Sequence, residues 1–317
     1  MIKKTLLSGI QPSGSLHIGN YFGAIKQFVD MQDNHNAIYM IVDYHALNSV
    51  QNKETMSKNI LNLAIDDLAL GLDSQKSLIF KQSDVSEHTE LAWIFDTITT
   101  MPYLERAHAY KDAVANGREA SVGLFNYPML MAADILMYDV DVVPVGADQK
   151  QHVEYARDTA QKFNNVFKSE VFKLPEVKIL EEVAVVSGTD GRKMSKSYGN
   201  TIPLFASDEE IEKAVMSIVT DSAGDKPGNV YAIHKLFKSE AELAPLYEEN
   251  RGKYKVLKEA LISDLKNFIR PLREKRERLA SDTDYVLDVL KEGGKRAKMK
   301  AEKKMEIVRE AIGVKLY

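Results

Sequence analysis

The chain has 317 residues, 44% hydrophobic and 28% charged, with a formal net charge of -4 and no cysteine. That balance fits an ordinary globular protein with room for one large domain and a smaller one. The absence of cysteine excludes disulfides, thiolate metal sites and iron–sulfur clusters. No apolar run approaches the roughly 20 residues that span a bilayer. The apolar segment after Met1-Ile2-Lys3-Lys4 meets Ser8-Gly9 too soon for a signal peptide, so no membrane association and a cytoplasmic location are expected.

Thr5-Leu6-Leu7 reads as a short strand ending in the turn Gly9-Ile10-Gln11-Pro12-Ser13-Gly14, after which a helix begins near His17. A helix start collects free N–H groups and positive dipole, which suits phosphate oxygens. His17 and Asn20 stand three apart and share one helical face. Gly19 between them leaves bare backbone for a flat base. Ile18, Tyr21, Phe22, Ile25, Phe28 and Val29 continue the helical spacing. The run 37–42 (Ala-Ile-Tyr-Met-Ile-Val) reads as a strand buried on both faces. Ile60, Ala64 and Leu68 mark the next helix, and 77–80 and 140–145 are further strands. Such alternation predicts an α/β fold, a parallel sheet with right-handed crossovers whose ligands bind beyond the carboxyl ends of its strands. The loops after Leu7, Val42 and Val145 are therefore the ones that matter.

Tyr127, Met131 and Asp134 fall at i, i+4 and i+7 and share a helix face. Asp134 is a lone carboxylate in an apolar stretch, and its burial costs several kcal/mol unless a donor pairs with it. An arginine elsewhere in the chain is one such donor, and a bound ligand's N–H is another. Lys193-Met194-Ser195-Lys196-Ser197, preceded by Gly188 and Gly191, sets two lysines and two hydroxyls on a glycine-hinged loop that can neutralise charge on a phosphate leaving group. Beyond about residue 200 the pattern is helical only. Ser207-Asp208-Glu209-Glu210 forms a capping box, residues 224–229 read as a loop, and Arg273 and Arg276 belong to a basic stretch expected to meet nucleic-acid phosphates. His17, His45, His108 and His152 are scattered and suggest no metal cluster. Trp93 reads as core or interface packing.

The two glycine-flanked segments together resemble the signatures of the class I aminoacyl-tRNA synthetases. The first is similar to the His-Ile-Gly-His motif, with Asn20 in place of the second histidine, and the second matches Lys-Met-Ser-Lys-Ser. The Gly-Ile-Gln-Pro-Ser-Gly turn and the blocks 127–136 and 143–152 resemble the tryptophanyl branch along nearly the whole chain, over the tyrosyl one or a small adenylyltransferase. The resemblance implies a Rossmann-like doubly wound catalytic domain over 1–197, a helical anticodon-binding domain over 198–285 and a final helix, 286–317, packing back on the first.

It implies L-tryptophan, ATP with Mg²⁺ on its phosphates and tRNA(Trp) as ligands, and a homodimer. Lys111, Lys193, Lys196, His17 and Asn20 are then catalytic. Gln11, Pro12, Ser13, Gly19 and Asn20 would hold ATP from the turn. Gly146, Ala147, Asp148 and Val185 would hold it as well, and so would Lys193, Met194, Ser195, Lys196 and Ser197 of the loop. The amino acid would lie against Gly9 and His45, with Asp134 on the indole nitrogen. Tyr127 and Gln149 would take its head group, and Met131, Val143 and Val145 its ring. Ala147 departs from the glutamate usual there, which puts any side-chain contact at that position in question.

Overall fold

Four of the five strands grow from the apolar runs already noted: β1 (Thr5–Ile10), β2 (Asn36–Ile41), β3 (Leu78–Lys81) and β4 (Val142–Val145). The computed structural model describes residues 3–146, 150–179, 186–220 and 227–317. A fifth strand, β5 (Glu176–Ile179), alternates charged and apolar residues and lies at the sheet edge, so it gives no continuous apolar run to read. The order is β3-β2-β1-β4-β5, every pair parallel. The chain steps outward from β1 to β3 and then returns to lay β4 on the other side of β1. Ligands of such sheets bind at that reversal, outside the carboxyl ends of β1 and β4.

Period-two alternation divides the strands between two cores. Leu6, Tyr39, Ile41 and Ile79 enter one apolar cluster, while Leu7, Met40, Phe80 and Val143 enter the other. The first cluster takes in the helix after β1, whose turns Ile18–Asn20, Tyr21–Ile25 (a π turn) and Lys26–Met31 follow without interruption, and helix Lys53–Leu70. It continues through Ile202, Leu204, Ile211 and Leu261, so the helical half shares the core of the sheet.

Helices Asp208–Met216, Gly228–His234, Glu240–Glu249, Tyr254–Ser281 and Thr283–Ala311 make up that half. The capping box at Ser207 is present, with Glu210 Oε2 accepting from Ser207 N at 2.7 Å and Ser207 Oγ accepting from Glu210 N at 3.2 Å. The loop expected over 224–229 gives way to a helix at Gly228, its first turn supplied by Pro227 and Gly228, while 224–226 lie outside the described residues. Helix Thr283–Ala311 packs on β3 and covers that sheet edge. A Cβ on Gly293 would stand 1.8 Å from the Ile79 carbonyl oxygen, so only glycine permits the contact.

Arg273 and Arg276 do not present a free basic face. Arg273 Nη2 lies 2.9 Å from Asp208 Oδ1, and Arg276 donates to Asp66 Oδ1 at 2.5 Å and to Asn62 Oδ1 at 3.1 Å. Both arginines tie helix Tyr254–Ser281 to its neighbours, because an acid on each adjoining helix pairs with them. Trp93, 70% exposed, is not a core residue.

Asp67, on helix Lys53–Leu70, is 2% exposed, and its Oδ1 has no hydrogen-bond partner among the described residues. Burial, followed by the neighbouring Asp66 charge, pushes its carboxyl well above the ordinary range. The folded chain therefore holds a proton that the unfolded chain releases, and stability declines as pH rises from the unfolded pKa through the raised one. Asp67→Asn is expected to raise the unfolding free energy at pH 8, the gain shrinking towards pH 4. Denaturant melts at both pH values check this; a gain independent of pH would mean that Asp67 ionises normally.

Candidate active site

Two main-chain hydrogen bonds bring the signature segments together: Ile18 N donates to Ile202 O at 3.0 Å, and Leu204 N to Leu16 O at 3.0 Å. They place the loop 188–200 over the turn that follows β1, where Lys196 Nζ donates to Ser13 O at 3.1 Å. Gly19 is closely flanked, since a Cβ there would lie 2.9 Å from His17 Nδ1 and 3.3 Å from Met194 Cβ. Met194 is buried, while Lys193, Lys196 and Ser197 are exposed and Ser195 is half-buried. The methionine thus anchors the loop and leaves its lysines facing solvent.

His17 is buried and has no hydrogen-bond partner for Nδ1 among the described residues. Burial and, after it, the positive charge of Lys196 lower its pKa to about 4. The imidazole is therefore neutral near pH 7 and can donate or accept one hydrogen bond without adding charge. Asn20 Oδ1 accepts from His17 N at 3.0 Å, so this side chain caps the helix it stands on. Gln11 and Ser13 are exposed on the turn and Pro12 is buried beneath them. Gly9 is the penultimate residue of β1, and a Cβ on it would meet Val42 Cγ1 at 2.9 Å. Gly146 follows β4 directly, whereas Ala147, Asp148, Gln149 and Val185 lie outside the described residues. Lys111 stands exposed on helix His108–Ala115, and no hydrogen bond or ion pair joins it to the turn or the loop.

A second cluster surrounds Asp134, 3% exposed on helix Val122–Leu136. Its carboxylate is not alone, and its partners are two imidazoles and an amide instead of an arginine. His45 Nε2 lies 3.0 Å from Oδ2, His88 Nδ1 lies 2.7 Å from Oδ1, and Gln82 Nε2 donates to both oxygens at 2.8 and 2.9 Å. Burial raises the Asp134 pKa, but the bonds from His45 and His88 outweigh it and leave the group below the usual carboxylate range.

Gln82 is held amide-first. Its Oε1 accepts from Tyr44 N at 3.2 Å, and next to it Ser83 N donates to Asp43 Oδ1 at 3.0 Å. These bonds lock the loop after β3 to the turn after β2, which carries His45. Tyr127, half-buried, packs edge-on to His45 with centroids 6.3 Å apart, and its hydroxyl lies 3.1 Å from His152 Nε2. Met131 lies half-buried one turn on, and Val143 and Val145 enter the same apolar cluster from β4. Gln82 and His88 carry as much of this arrangement as the residues picked from sequence. The signal for Gln82 was its place at the carboxyl end of β3; no sequence pattern marks His88.

The geometry joins a helix-start turn, a lysine loop closing on it and an amide-lined buried carboxylate at the carboxyl edge of a nucleotide-type sheet. The chain matches the family of class I tRNA synthetases (W and Y) over residues 3–279, and it belongs to that family. Among its relatives, the tryptophan--tRNA ligase of Fusobacterium nucleatum subsp. nucleatum is 50% identical over 319 residues, covering 98% of each chain. The tryptophanyl-tRNA synthetase of Campylobacter jejuni, solved in complex with ADP and tryptophan, superposes with a TM-score of 0.91 at 47% identity, covering 98% of this chain and 99% of that one. A tyrosyl-tRNA synthetase from Archaeoglobus fulgidus, 20% identical, shares the fold at a TM-score of 0.65 over 86% of this chain and 90% of its own.

The His17 environment is open to direct measurement. Its ring C–H resonance should titrate near pH 4. In Lys196→Ala the midpoint should rise only part of the way to the ordinary value of about 6.5, because burial is the larger cause. A wild-type midpoint near 6.5 would show that the ring stays solvated.

Proposed function

We propose that this chain is a tryptophan--tRNA ligase that converts L-tryptophan and ATP to tryptophanyl-adenylate and pyrophosphate, then passes the tryptophanyl group to the 3′-terminal ribose of tRNA(Trp). The observation that carries this reading is the closure of the Lys193–Lys196 loop on the turn after β1, with Lys196 Nζ 3.1 Å from Ser13 O. The substrate carboxylate attacks the α-phosphorus, one C–O–P linkage forms, and the bond to the bridging oxygen of pyrophosphate breaks. No covalent enzyme intermediate is needed, so positioning and charge stabilisation carry the rate. The adenosine is assigned to Gly19 and the exposed Gln11 and Ser13, together with Gly146, Ala147, Asp148 and Val185. Lys193, Lys196 and, from its own helix, Lys111 face the departing phosphates. Mg²⁺ on those phosphates supplies further positive charge when bound.

Tryptophan is assigned to the Asp134 cluster, its ring between Met131, Val143 and Val145 and its head group on Tyr127 and Gln149. A carboxylate offers about four acceptor sites. His45, His88 and the two contacts of Gln82 occupy all four, so the indole N–H is assigned in exchange for one of the Gln82 contacts. The helices over 198–285 are assigned to the anticodon and 286–317 to support of the catalytic half. The exposed Trp93, Met101 and Val122 support a homodimer interface, and a cytoplasmic location goes with the proposed reaction.

Lys196→Ala should slow adenylate formation by about 10²–10³ while tryptophan affinity barely moves, as for loss of one donor to developing charge. Single-turnover pyrophosphate formation measures it, and a normal rate would remove Lys196 from the chemistry. A tryptophan analogue with sulfur in place of the indole nitrogen keeps the size and lacks the donor. It should lose roughly 1–3 kcal/mol of recognition, about fivefold to 150-fold in kcat/KM, with ATP binding intact. Because Asp134 already has protein donors, the penalty is that of one lost bond and not of a stranded charge. Equal use of the analogue would make Asp134 purely structural.

A further inference from the structure

Asn200 lies outside the matched Lys-Met-Ser-Lys-Ser segment and is 2% exposed. Its side-chain amide is almost fully committed to the loop before it. Oδ1 accepts from Ser195 N at 2.8 Å, while Nδ2 donates to Asp190 Oδ1 at 2.7 Å and to Lys193 O at 3.1 Å. Its main-chain oxygen accepts from Thr189 N at 3.0 Å. Gly188 abuts it so closely that a Cβ would lie 2.2 Å from Nδ2 and 2.8 Å from the main-chain oxygen. The loop therefore wraps one amide, touching it at four residues on both sides of Met194.

We infer that Asn200 is a positioning residue for the adenylate-forming step, fixing the main chain at Lys193 and Ser195 so that the ammonium groups of Lys193 and Lys196 meet the phosphates. This rests on the proposed role of those two lysines. Both are exposed, and apart from the bond of Lys196 Nζ to Ser13 O it is the main chain that sets where they begin. Met194 anchors the loop inward, through its burial and the bond from its N to Val186 O at 2.8 Å. With the bond from Gly188 N to Arg192 O at 2.7 Å it forms a short bridge that holds Lys193 from one side. The Asn200 amide bonds Lys193 O and Ser195 N, the residues on either side of Met194, and so sets the main chain from which both lysines leave. An asparagine suits this because the arrangement needs one acceptor and two donors on one planar group held close to the main chain.

Pyrophosphate exchange on the full-length protein tests the inference. Asn200→Ala should lower kcat about 10- to 100-fold with the tryptophan KM close to wild type, and the thermal midpoint should fall because the partners of a buried amide lose their bonds. In a Lys193→Ala/Lys196→Ala background the same change should cost only a few-fold more, because it acts through those two lysines. Equal losses in both backgrounds would overturn the inference, as would an unchanged kcat. Lys196→Ala is its own control: if that variant alone keeps full activity, the reading of the lysines fails, not merely the role of Asn200.

Should the alanine variant not fold, Asn200→Asp keeps the size and the acceptor for Ser195 N. It sets a carboxylate against Asp190 and the Lys193 carbonyl, so kcat should recover towards acid pH as the introduced carboxyl gains a proton and can donate. A pH profile parallel to wild type would overturn the inference.

Discussion

The site depends on one short pairing, that of Leu16 and Ile18 with Leu204 and Ile202, which joins the beginning of the sheet-forming half to the chain just beyond its end. Two hydrogen bonds alone contribute about 1 kcal/mol each, too little to hold segments so distant in sequence. The energy comes from the apolar side chains beside them. Leu16, Ile18, Met194, Ile202 and Leu204 are all buried in one cluster, and each such side chain contributes roughly 1.5–3 kcal/mol when taken from water. Burial holds the segments together, and the hydrogen bonds set their register. Lys196 reaches Ser13 because of that register.

The Asp134 cluster obeys the opposite rule. There a charge is buried and the surroundings are arranged to tolerate it. The donors come from the turn after β2, the loop after β3 and helix Glu87–Ile98, so three separate connections converge on one carboxylate. Two of the three are oriented by a further bond, Gln82 by Tyr44 N and His88 by the Tyr138 hydroxyl at 2.8 Å, while Tyr127 packs edge-on against His45. A half-satisfied polar network is unstable in an apolar core, and a fully oriented one fixes a single geometry. Recognition of a planar ring with one donor benefits from that rigidity.

The strands β1 to β4 and both signature segments were legible because each rests on local pattern: apolar runs, a turn followed by a helix start, a lysine-rich loop. What was not legible depends on long-range pairing. β5 is held by its place beside β4, not by its own hydrophobicity. Gln82 stands at the carboxyl end of a strand that was recognised, yet a lone polar residue carries no periodicity to single it out. Arg273 and Arg276 looked like a nucleic-acid surface because charge in sequence says nothing of which acids fold against it. Asn200 was passed over for the same reason, since four of its bonds run to residues that only the folded loop brings within reach.

The lysine loop is bonded to the helical half as well as to the turn. Thr189 O accepts from Val219 N at 2.8 Å, and Val219 O accepts from Asn229 Nδ2 at 2.8 Å. Asn229 stands on helix Gly228–His234 and closes over Gly191, where a Cβ would meet its amide at 2.8 Å. Gly191 itself takes a φ of 82°, the left-handed region that favours glycine. The base of the loop is thus fixed on one side by the chain entering Ile202 and on the other by a helix of the second half. A main chain held at both ends cannot swing freely about either. Displacing the lysines requires breaking the bonds to Val219 and Asn229, or moving the first helices of the helical half along with them. The geometry of phosphate chemistry and the placement of those helices are, for that reason, one mechanical problem.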